Sequence, residues 1–121
     1  MREPINDKVR LEHMVSAIDR ILGFMFGKSF DDLPKGAIEY YGIVKNIEII
    51  GEAAYKLSSE FKLANQETPW SVIEKMRHVL VHDYYQIDEN EVKYVIEDDL
   101  GLLREQIKRY LSQTNWEEWG K

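Results

Sequence analysis

The sequence predicts an all-α protein, an antiparallel bundle of four main helices joined by short helical turns. Apolar residues recur at spacings of three and four along most of the 121 residues, which is the period of an amphipathic helix. Alternating apolar and polar runs bounded by turn residues, which would indicate strands, are weak. Only three prolines occur, and two of them, Pro34 and Pro69, fall where one helical segment gives way to the next.

The composition indicates one domain over residues 1–121, with its core at about 7–112 and a short aromatic tail at 113–121. Hydrophobic residues make up 44% of the chain, enough for a packed core. No apolar run approaches the roughly 20 residues that span a bilayer, and residues 1–8 do not resemble a signal peptide. The sequence contains no cysteine, which excludes disulfides and thiolate sites. We therefore expect a cytoplasmic protein without a membrane partner.

The net charge of −6 restricts how the chain can meet nucleic acid. A negative overall field repels RNA, so contact requires a local basic patch or a site built from two subunits. A tight, non-specific nucleic-acid binder is therefore not expected.

The first helix is predicted from Asp7 to Met25, with Asn6 or Asp7 as its cap and Gly27 as its stop. A single helical turn is expected at residues 29–32. One face of the helix carries its buried residues, which are Leu11, Met14, Val15, Ile18, Ile21, Leu22 and Met25.

The second helix is predicted from about residue 35 to residue 57. Gly51 lies on its apolar face, where glycine costs about 1 kcal/mol relative to alanine. Such a glycine, beside Ala53 and Ala54, is favourable if another helix passes closely. We expect that close passage, and a short helix over residues 60–64 capped by Ser59.

Two further helices complete the predicted bundle. The third begins with Thr68 as N-cap and Pro69 as the first helical residue, where proline's missing N–H costs nothing. The fourth runs from an acidic cap at Asp88 to about residue 112, with a possible kink at Gly101. Its acidic run at residues 97–99 is interpreted as a solvated face.

The side chains best suited to chemistry are concentrated at the end of the third helix. The nine residues are Arg77, His78, Val79, Leu80, Val81, His82, Asp83, Tyr84 and Tyr85. At about 100° per residue, Arg77 and Tyr84 share one helix face, whereas Arg77 and His82 diverge. Two copies of the helix meeting at a two-fold axis would bring both arginines and both histidines into one cleft. We therefore expect a homodimer.

These residue types match the needs of RNA cleavage without a metal or other cofactor. A base must take the 2′-hydroxyl proton, and an acid must protonate the leaving 5′-oxygen, which are tasks for histidine. Positive charge must stabilise the phosphate, which is a task for arginine. Structural roles stay open: Arg77 can be an ion-pair partner, the histidines can be caps, and Tyr84 can close the core. His78 and His82, four residues apart beside Asp83, also form a possible zinc pair.

The motif R-x4-H-x-Y, formed by Arg77, His82 and Tyr84, resembles that of the HEPN (higher eukaryotes and prokaryotes nucleotide-binding) superfamily. Within it, the chain is similar to the HepT-like toxins of prokaryotic toxin–antitoxin pairs. Residues 49–53, I-I-G-E-A, resemble a run on the family's second helix, and residues 68–70, T-P-W, resemble its lead into the motif helix. The similarity spans roughly residues 7–111.

The resemblance implies a homodimeric, metal-independent RNA endonuclease, the toxin of a type VII-like pair. Arg77 and His82 would be the catalytic pair at a cleft shared by two subunits. Tyr84 would be AMPylated by a minimal nucleotidyltransferase antitoxin. The family usually has asparagine, or another polar residue, where this chain has His78, which leaves an auxiliary role open for that histidine. Two alternatives stay open: a non-catalytic helical dimer that binds a nucleotidyltransferase or a nucleotide, and an antitoxin whose partner is the toxin.

Overall fold

The computed structural model describes residues 6–78 and 89–119, and within these ranges every regular element is helical. The elements are α1 (Asp7–Met25), a 3₁₀ turn (Phe30–Asp32), α2 (Ile38–Lys56), α3 (Ser59–Ala64), α4 (Trp70–Glu74), a second 3₁₀ turn (Lys75–His78), α5 (Glu89–Tyr94), a π-helical segment (Val95–Asp99) and α6 (Leu100–Gln113). The predicted all-α bundle is confirmed. No helix in the described ranges is both long and apolar enough to cross a bilayer.

The ends of α1 agree with the sequence prediction because local groups determine both of them. Asn6 accepts a hydrogen bond from the backbone N–H of Val9 at 3.0 Å and so caps the helix. Beyond the last residue, Gly27 has a φ of +75°, the left-handed conformation that favours glycine at a helix stop. The expected helical turn follows, capped by Ser29, whose hydroxyl accepts from the N–H of Asp31 at 3.3 Å.

Helix α2 begins at Ile38, three residues later than predicted, because residues 35 and 36 form a turn instead. The backbone N–H of Ala37 closes that turn by donating to the carbonyl of Pro34 at 3.2 Å.

The cap of α3 is Ser58, not the predicted Ser59. The hydroxyl of Ser58 accepts a hydrogen bond from the N–H of Phe61 at 3.1 Å. Both serines can cap a helix, and a distant residue decides between them. The carboxylate of Asp7 accepts from the Ser58 N–H at 2.8 Å and from its hydroxyl at 2.7 Å.

The predicted start of the third helix is also wrong in detail. Thr68 does not cap α4, and Pro69 takes the cap position outside the helix. The side chain of Thr68 is buried, and its hydroxyl lies 2.7 Å from the amide oxygen of Gln106 and contacts the hydroxyl of Tyr110. Because these tertiary partners occupy the hydroxyl, it does not bond to the first turn of α4.

The fourth predicted helix is divided by the π-helical segment, and its predicted cap, Asp88, lies outside the described residues. Leu100 donates its backbone N–H to the carbonyl of Val95, five residues earlier. Val95, Ile96 and Leu100 are all buried, as the apolar face of the predicted helix requires. The irregularity therefore precedes Gly101, where we had predicted a kink.

The core draws on all six helices, and the C-terminal tail is part of it. Helix α1 packs against α2 and α6, while α2 also packs against α4 and the turn Lys75–His78. In the tail, Trp116 stacks on Phe61 with ring centroids 6.1 Å apart, and Trp119 meets the same ring edge-on at 5.5 Å. The indole N–H of Trp119 donates to the carboxylate of Asp7 at 2.9 Å, which fixes the tail on α1.

Candidate functional site

Two of the predicted site residues, Arg77 and His78, lie in the 3₁₀ turn Lys75–His78 that continues α4. The other two, His82 and Tyr84, lie outside the described residues. The predicted face relationships assumed an α-helix through the whole motif. A 3₁₀ turn has about 3.0 residues per turn, so that assumption is wrong at the motif's beginning. The pairing of Arg77 with His82 across two subunits stays a prediction.

Helix α2 passes directly against the backbone of Arg77 at Gly51. A Cβ atom at Gly51 would overlap the amide nitrogen of Arg77 and would lie 2.8 Å from the carbonyl carbon of Met76. These atoms belong to the backbone and cannot rotate away. The predicted close passage at Gly51 is therefore confirmed, and the passing segment is the motif turn itself.

The side chain of Arg77 rests on Tyr55, also from α2. Its guanidinium carbon lies 3.4 Å from the centroid of the tyrosine ring. Gly51 and Tyr55 are four residues apart and so share one helix face. The glycine thus accommodates the arginine backbone while the tyrosine, one turn later, supports the guanidinium.

Tyr55 was not among the residues that the sequence singled out. The sequence did contain one signal, which is that Tyr55 lies one helical turn after Gly51. A glycine that allows a neighbouring backbone to approach also brings the side chains one turn away into contact with that neighbour. The contact joins residues 22 positions apart, however, and helical periodicity does not identify such partners.

Arg77 has no close carboxylate partner among the described residues. Its Nη1 atom lies 4.0 Å from the Oε2 atom of Glu52, whereas the other oxygen of that carboxylate, Oε1, lies 3.3 Å from the ammonium of Lys56. Structural arginine–carboxylate pairs are typically shorter and often bidentate. The buried Nε atom of Arg77 has no hydrogen-bond partner in the described part of the chain. These contacts fit poorly with a purely structural ion pair and leave a cation able to receive an anion.

The remaining sequence candidates are more peripheral. His78, at the end of the turn, is exposed. The described ranges contain no group of three or more His, Asp or Glu side chains that could hold a metal ion. The possible zinc pair of His78 with His82 includes a residue outside these ranges, so it stays an alternative.

The acidic run at residues 97–99 is only partly the solvated face that we predicted. Glu97 and Asp98 are exposed, but Asp99 is half-buried. Burial, and secondarily the neighbouring charge of Asp98, raises the pKa of Asp99 above its ordinary value. Asp99 lines a groove of about 460 Å³ that runs between the π-helical segment and α4, with Lys75 and Met76 on its wall.

Comparison with known proteins identifies the family of the chain. The family described as "Ribonuclease HepT-like" matches residues 14–110. The chain is 30% identical over 103 residues to "Putative RNase TTE0752" of Caldanaerobacter subterraneus subsp. tengcongensis, covering 85% of this chain and 92% of the relative. It is 29% identical over 94 residues to "Probable ribonuclease HepT" of Thermococcus cleftensis, covering 78% and 86%. No solved structure is significantly similar to the chain. The chain belongs to the HepT-like ribonuclease family.

Proposed function

We propose that this chain is a metal-independent RNA endonuclease that acts as a homodimer, the toxin of a type VII-like toxin–antitoxin pair. The observation that carries the proposal is the state of Arg77. Its guanidinium is fixed on Tyr55 and lies 4.0 Å or more from the carboxylate oxygens of Glu52. An arginine in that state can bind a phosphate with its N–H fork. Membership of the HepT-like family supplies the class of reaction.

In the proposed reaction, the 2′-hydroxyl of RNA is the nucleophile. His82 of one subunit takes its proton while the 2′-oxygen attacks phosphorus. The bond from phosphorus to the 5′-oxygen breaks, and the leaving oxygen receives a proton from the second copy of His82. Arg77 neutralises charge on the crowded phosphate. No proton or electron is left over, so the step needs no metal and no cofactor.

The proposed mechanism requires a homodimer, because it assigns the base and acid roles to two copies of His82. The motif of one chain offers a single His82, whereas acid and base roles require two groups. A two-fold axis through the motif supplies both and doubles the local positive charge, which offsets the net charge of −6 on each chain. His78, exposed at the end of the motif turn, is an auxiliary group that can hydrogen-bond RNA in the shared cleft.

The proposed control is AMPylation of Tyr84 by a minimal nucleotidyltransferase antitoxin. An AMP group adds negative charge and bulk two residues from His82, so it would compete with RNA phosphate for Arg77. Both reactions belong in the cytoplasm, where RNA and ATP are present together.

A nuclease assay in EDTA tests the catalytic part of the proposal. The purified parent chain is expected to cleave RNA at neutral pH with EDTA present. Arg77→Ala and His82→Ala are each expected to abolish cleavage while circular dichroism shows that the bundle is retained. Cleavage that EDTA eliminates would favour the zinc pair, and full cleavage by His82→Ala would remove that histidine from the mechanism. An inactive parent chain would favour the non-catalytic binding module.

Mass spectrometry tests the proposed regulation by AMPylation of Tyr84. The parent chain, incubated with the nucleotidyltransferase and ATP, is expected to gain AMP on Tyr84 and to stop cleaving RNA. Tyr84→Phe is expected to remain active and unmodified. An adduct at another residue, or inhibition of Tyr84→Phe by the partner, would contradict the assigned modification site. Growth tests with each gene expressed alone distinguish toxin from antitoxin.

A further inference from the structure

We propose that Tyr55 is a positioning residue for the catalytic arginine: its ring holds the Arg77 guanidinium in the orientation that receives the scissile phosphate. The inference rests on the proposed nuclease function and adds to it a residue from outside the motif. Tyr55 lies on α2, 22 positions before Arg77 in sequence, and directly beneath it in the structure.

The first step in the argument concerns the Arg77 backbone. Gly51 brings α2 so close that an added Cβ would lie 3.0 Å from the Arg77 Cα and would overlap its nitrogen. The turn Lys75–His78 therefore cannot shift toward α2, and the origin of the arginine side chain is fixed. The same contact fixes the height of Arg77 above the surface of α2, where Tyr55 stands one turn later.

The second step concerns the guanidinium. The guanidinium carbon lies 3.4 Å from the centroid of the Tyr55 ring, which is van der Waals contact between the cation and the face of the ring. Stacking engages the flat face of the guanidinium and leaves the N–H groups at its edge, which are the groups that bind phosphate oxygens. A tyrosine beneath an arginine thus restricts the cation without consuming its donors. A close carboxylate would consume them, and Glu52 stays 4.0 Å away.

The third step shows that Tyr55 is not needed as a core packing residue. Tyr55 remains 49% exposed and is absent from the hydrophobic core, so the bundle does not depend on it for burial. The Arg77 side chain is 27% exposed, so part of it is open to solvent. Arginine has many rotamers, and restricting them before RNA binds removes a cost that would otherwise fall on the transition state.

Kinetics of three tyrosine variants test the proposal. Tyr55→Phe keeps the ring and loses the hydroxyl, while Tyr55→Leu loses the ring. Tyr41→Leu is the matched control, because Tyr41 lies on the same helix with a similar exposure of 42% and has no contact with Arg77 among the described residues. Single-turnover cleavage and KM are measured for each variant in EDTA.

We expect Tyr55→Leu to lower kcat and kcat/KM together by about tenfold, because an interaction used in the transition state is lost. Tyr55→Phe and Tyr41→Leu should stay within about twofold of the parent, since the ring face at position 55 is intact in both. Wild-type rates for Tyr55→Leu, with Arg77→Ala inactive, would overturn the positioning role and leave the nuclease assignment standing. Equal losses in Tyr55→Phe and Tyr55→Leu would also overturn it, because the hydroxyl would then be the active element.

A second measurement does not depend on activity. Because the guanidinium carbon of Arg77 lies 3.4 Å over the centroid of the Tyr55 ring, we expect the ring to shield the attached Nε–H proton and to shift its NMR signal upfield in the parent and in Tyr55→Phe. Tyr55→Leu should return it to the ordinary position, and Arg77→Lys assigns the signal by deleting it. An unshifted signal in the parent would overturn the positioning proposal. A shifted signal in a parent chain that cleaves no RNA would instead overturn the nuclease function.

Discussion

Tyr55 and Phe61 are six residues apart, at the end of α2 and in the middle of α3, and they use their rings in opposite ways. Phe61 is fully buried, and four rings surround it, with centroids 5.5–6.1 Å away: Trp70, Tyr110, Trp116 and Trp119. Tyr55 is half exposed, and its ring faces the cation of Arg77.

The difference separates the stability of the bundle from its chemistry. The rings around Phe61 come from α3, α4, α6 and the tail, so they hold these segments together. Each ring there buries apolar area, which is the main source of folding free energy. The stack of Tyr55 on Arg77 lies at the surface and can contribute little to folding, but it orders one charged side chain. Removal of the Phe61 ring should therefore lower stability, whereas removal of the Tyr55 ring should lower activity.

Truncation of Phe61 should have the largest effect on stability. Phe61→Ala is expected to lower the free energy of unfolding by about 3–5 kcal/mol, because it leaves a cavity among packed rings. Tyr55→Ala should cost about 1 kcal/mol or less, which is the scale of an exposed cation–π contact. Urea denaturation followed by circular dichroism measures both. Equal losses would show that the Tyr55 stack is part of the core and would remove the distinction between the two regions.

Two glycines on α2 provide a sharper test at the contact with the motif turn. Gly51→Ala is expected to destabilise the protein by about 1–3 kcal/mol, since its Cβ would meet backbone atoms. Gly42→Ala is the matched control: no atom lies within 4 Å of its added Cβ, so it should stabilise α2 by up to about 1 kcal/mol.

Thermal unfolding of both glycine variants, together with their cleavage rates, completes that test. Gly51→Ala should lose activity as well as stability, because α2 must move away from Arg77. Unchanged stability in Gly51→Ala would contradict the close approach that positions the arginine.

The smallest expected effect is electrostatic and concerns Asp99, in the groove beside the motif turn. Burial raises the pKa of Asp99, so the folded chain holds this proton more tightly than the unfolded chain does. Ionisation of Asp99 therefore costs stability as pH rises from its ordinary pKa of 3.8 through the raised value. Asp99→Asn should be slightly more stable than the parent at pH 7, with the gain vanishing below pH 3.8.

Melting temperatures between pH 3 and pH 8 measure this effect, and Glu97→Gln, at an exposed position of the same π-helical segment, is the control. That variant should stay within about 0.5 kcal/mol of the parent throughout. A gain for Asp99→Asn that grows as pH falls would have the wrong sign and would contradict the burial effect.

The sequence predicted those features that depend on neighbouring residues. Periodicity and local caps located α1, and the cost of a mid-helix glycine correctly indicated the close passage at Gly51. Apart from the start of α2, which a local turn delays, errors in the helix caps arose where distant groups decide. Asp7 selects Ser58 over Ser59 as a cap, and Gln106 and Tyr110 occupy the hydroxyl of Thr68. The π-helical segment Val95–Asp99 was also missed, because the apolar spacing there is that of a regular helix.

In the candidate site, too, the sequence located the residues of the local motif and missed a residue that tertiary packing brings to it. The motif located Arg77 and His78 because their residue types and spacing are visible in the chain. Tyr55 was missed because its contact with Arg77 arises only when α2 and the motif turn pack together. His82 and Tyr84 keep the roles that we propose for them.

The most direct test of the whole account is the single-turnover rate of RNA cleavage by Arg77→Lys in EDTA. Lysine keeps the positive charge but loses the planar fork and its stack on Tyr55. We expect the rate to fall by about 10²–10³, the scale of losing one group that stabilises transition-state charge, with the free energy of unfolding nearly unchanged. Cleavage at the parental rate by Arg77→Lys would contradict the account, because charge alone would then suffice and the position of the guanidinium on α2 would be irrelevant.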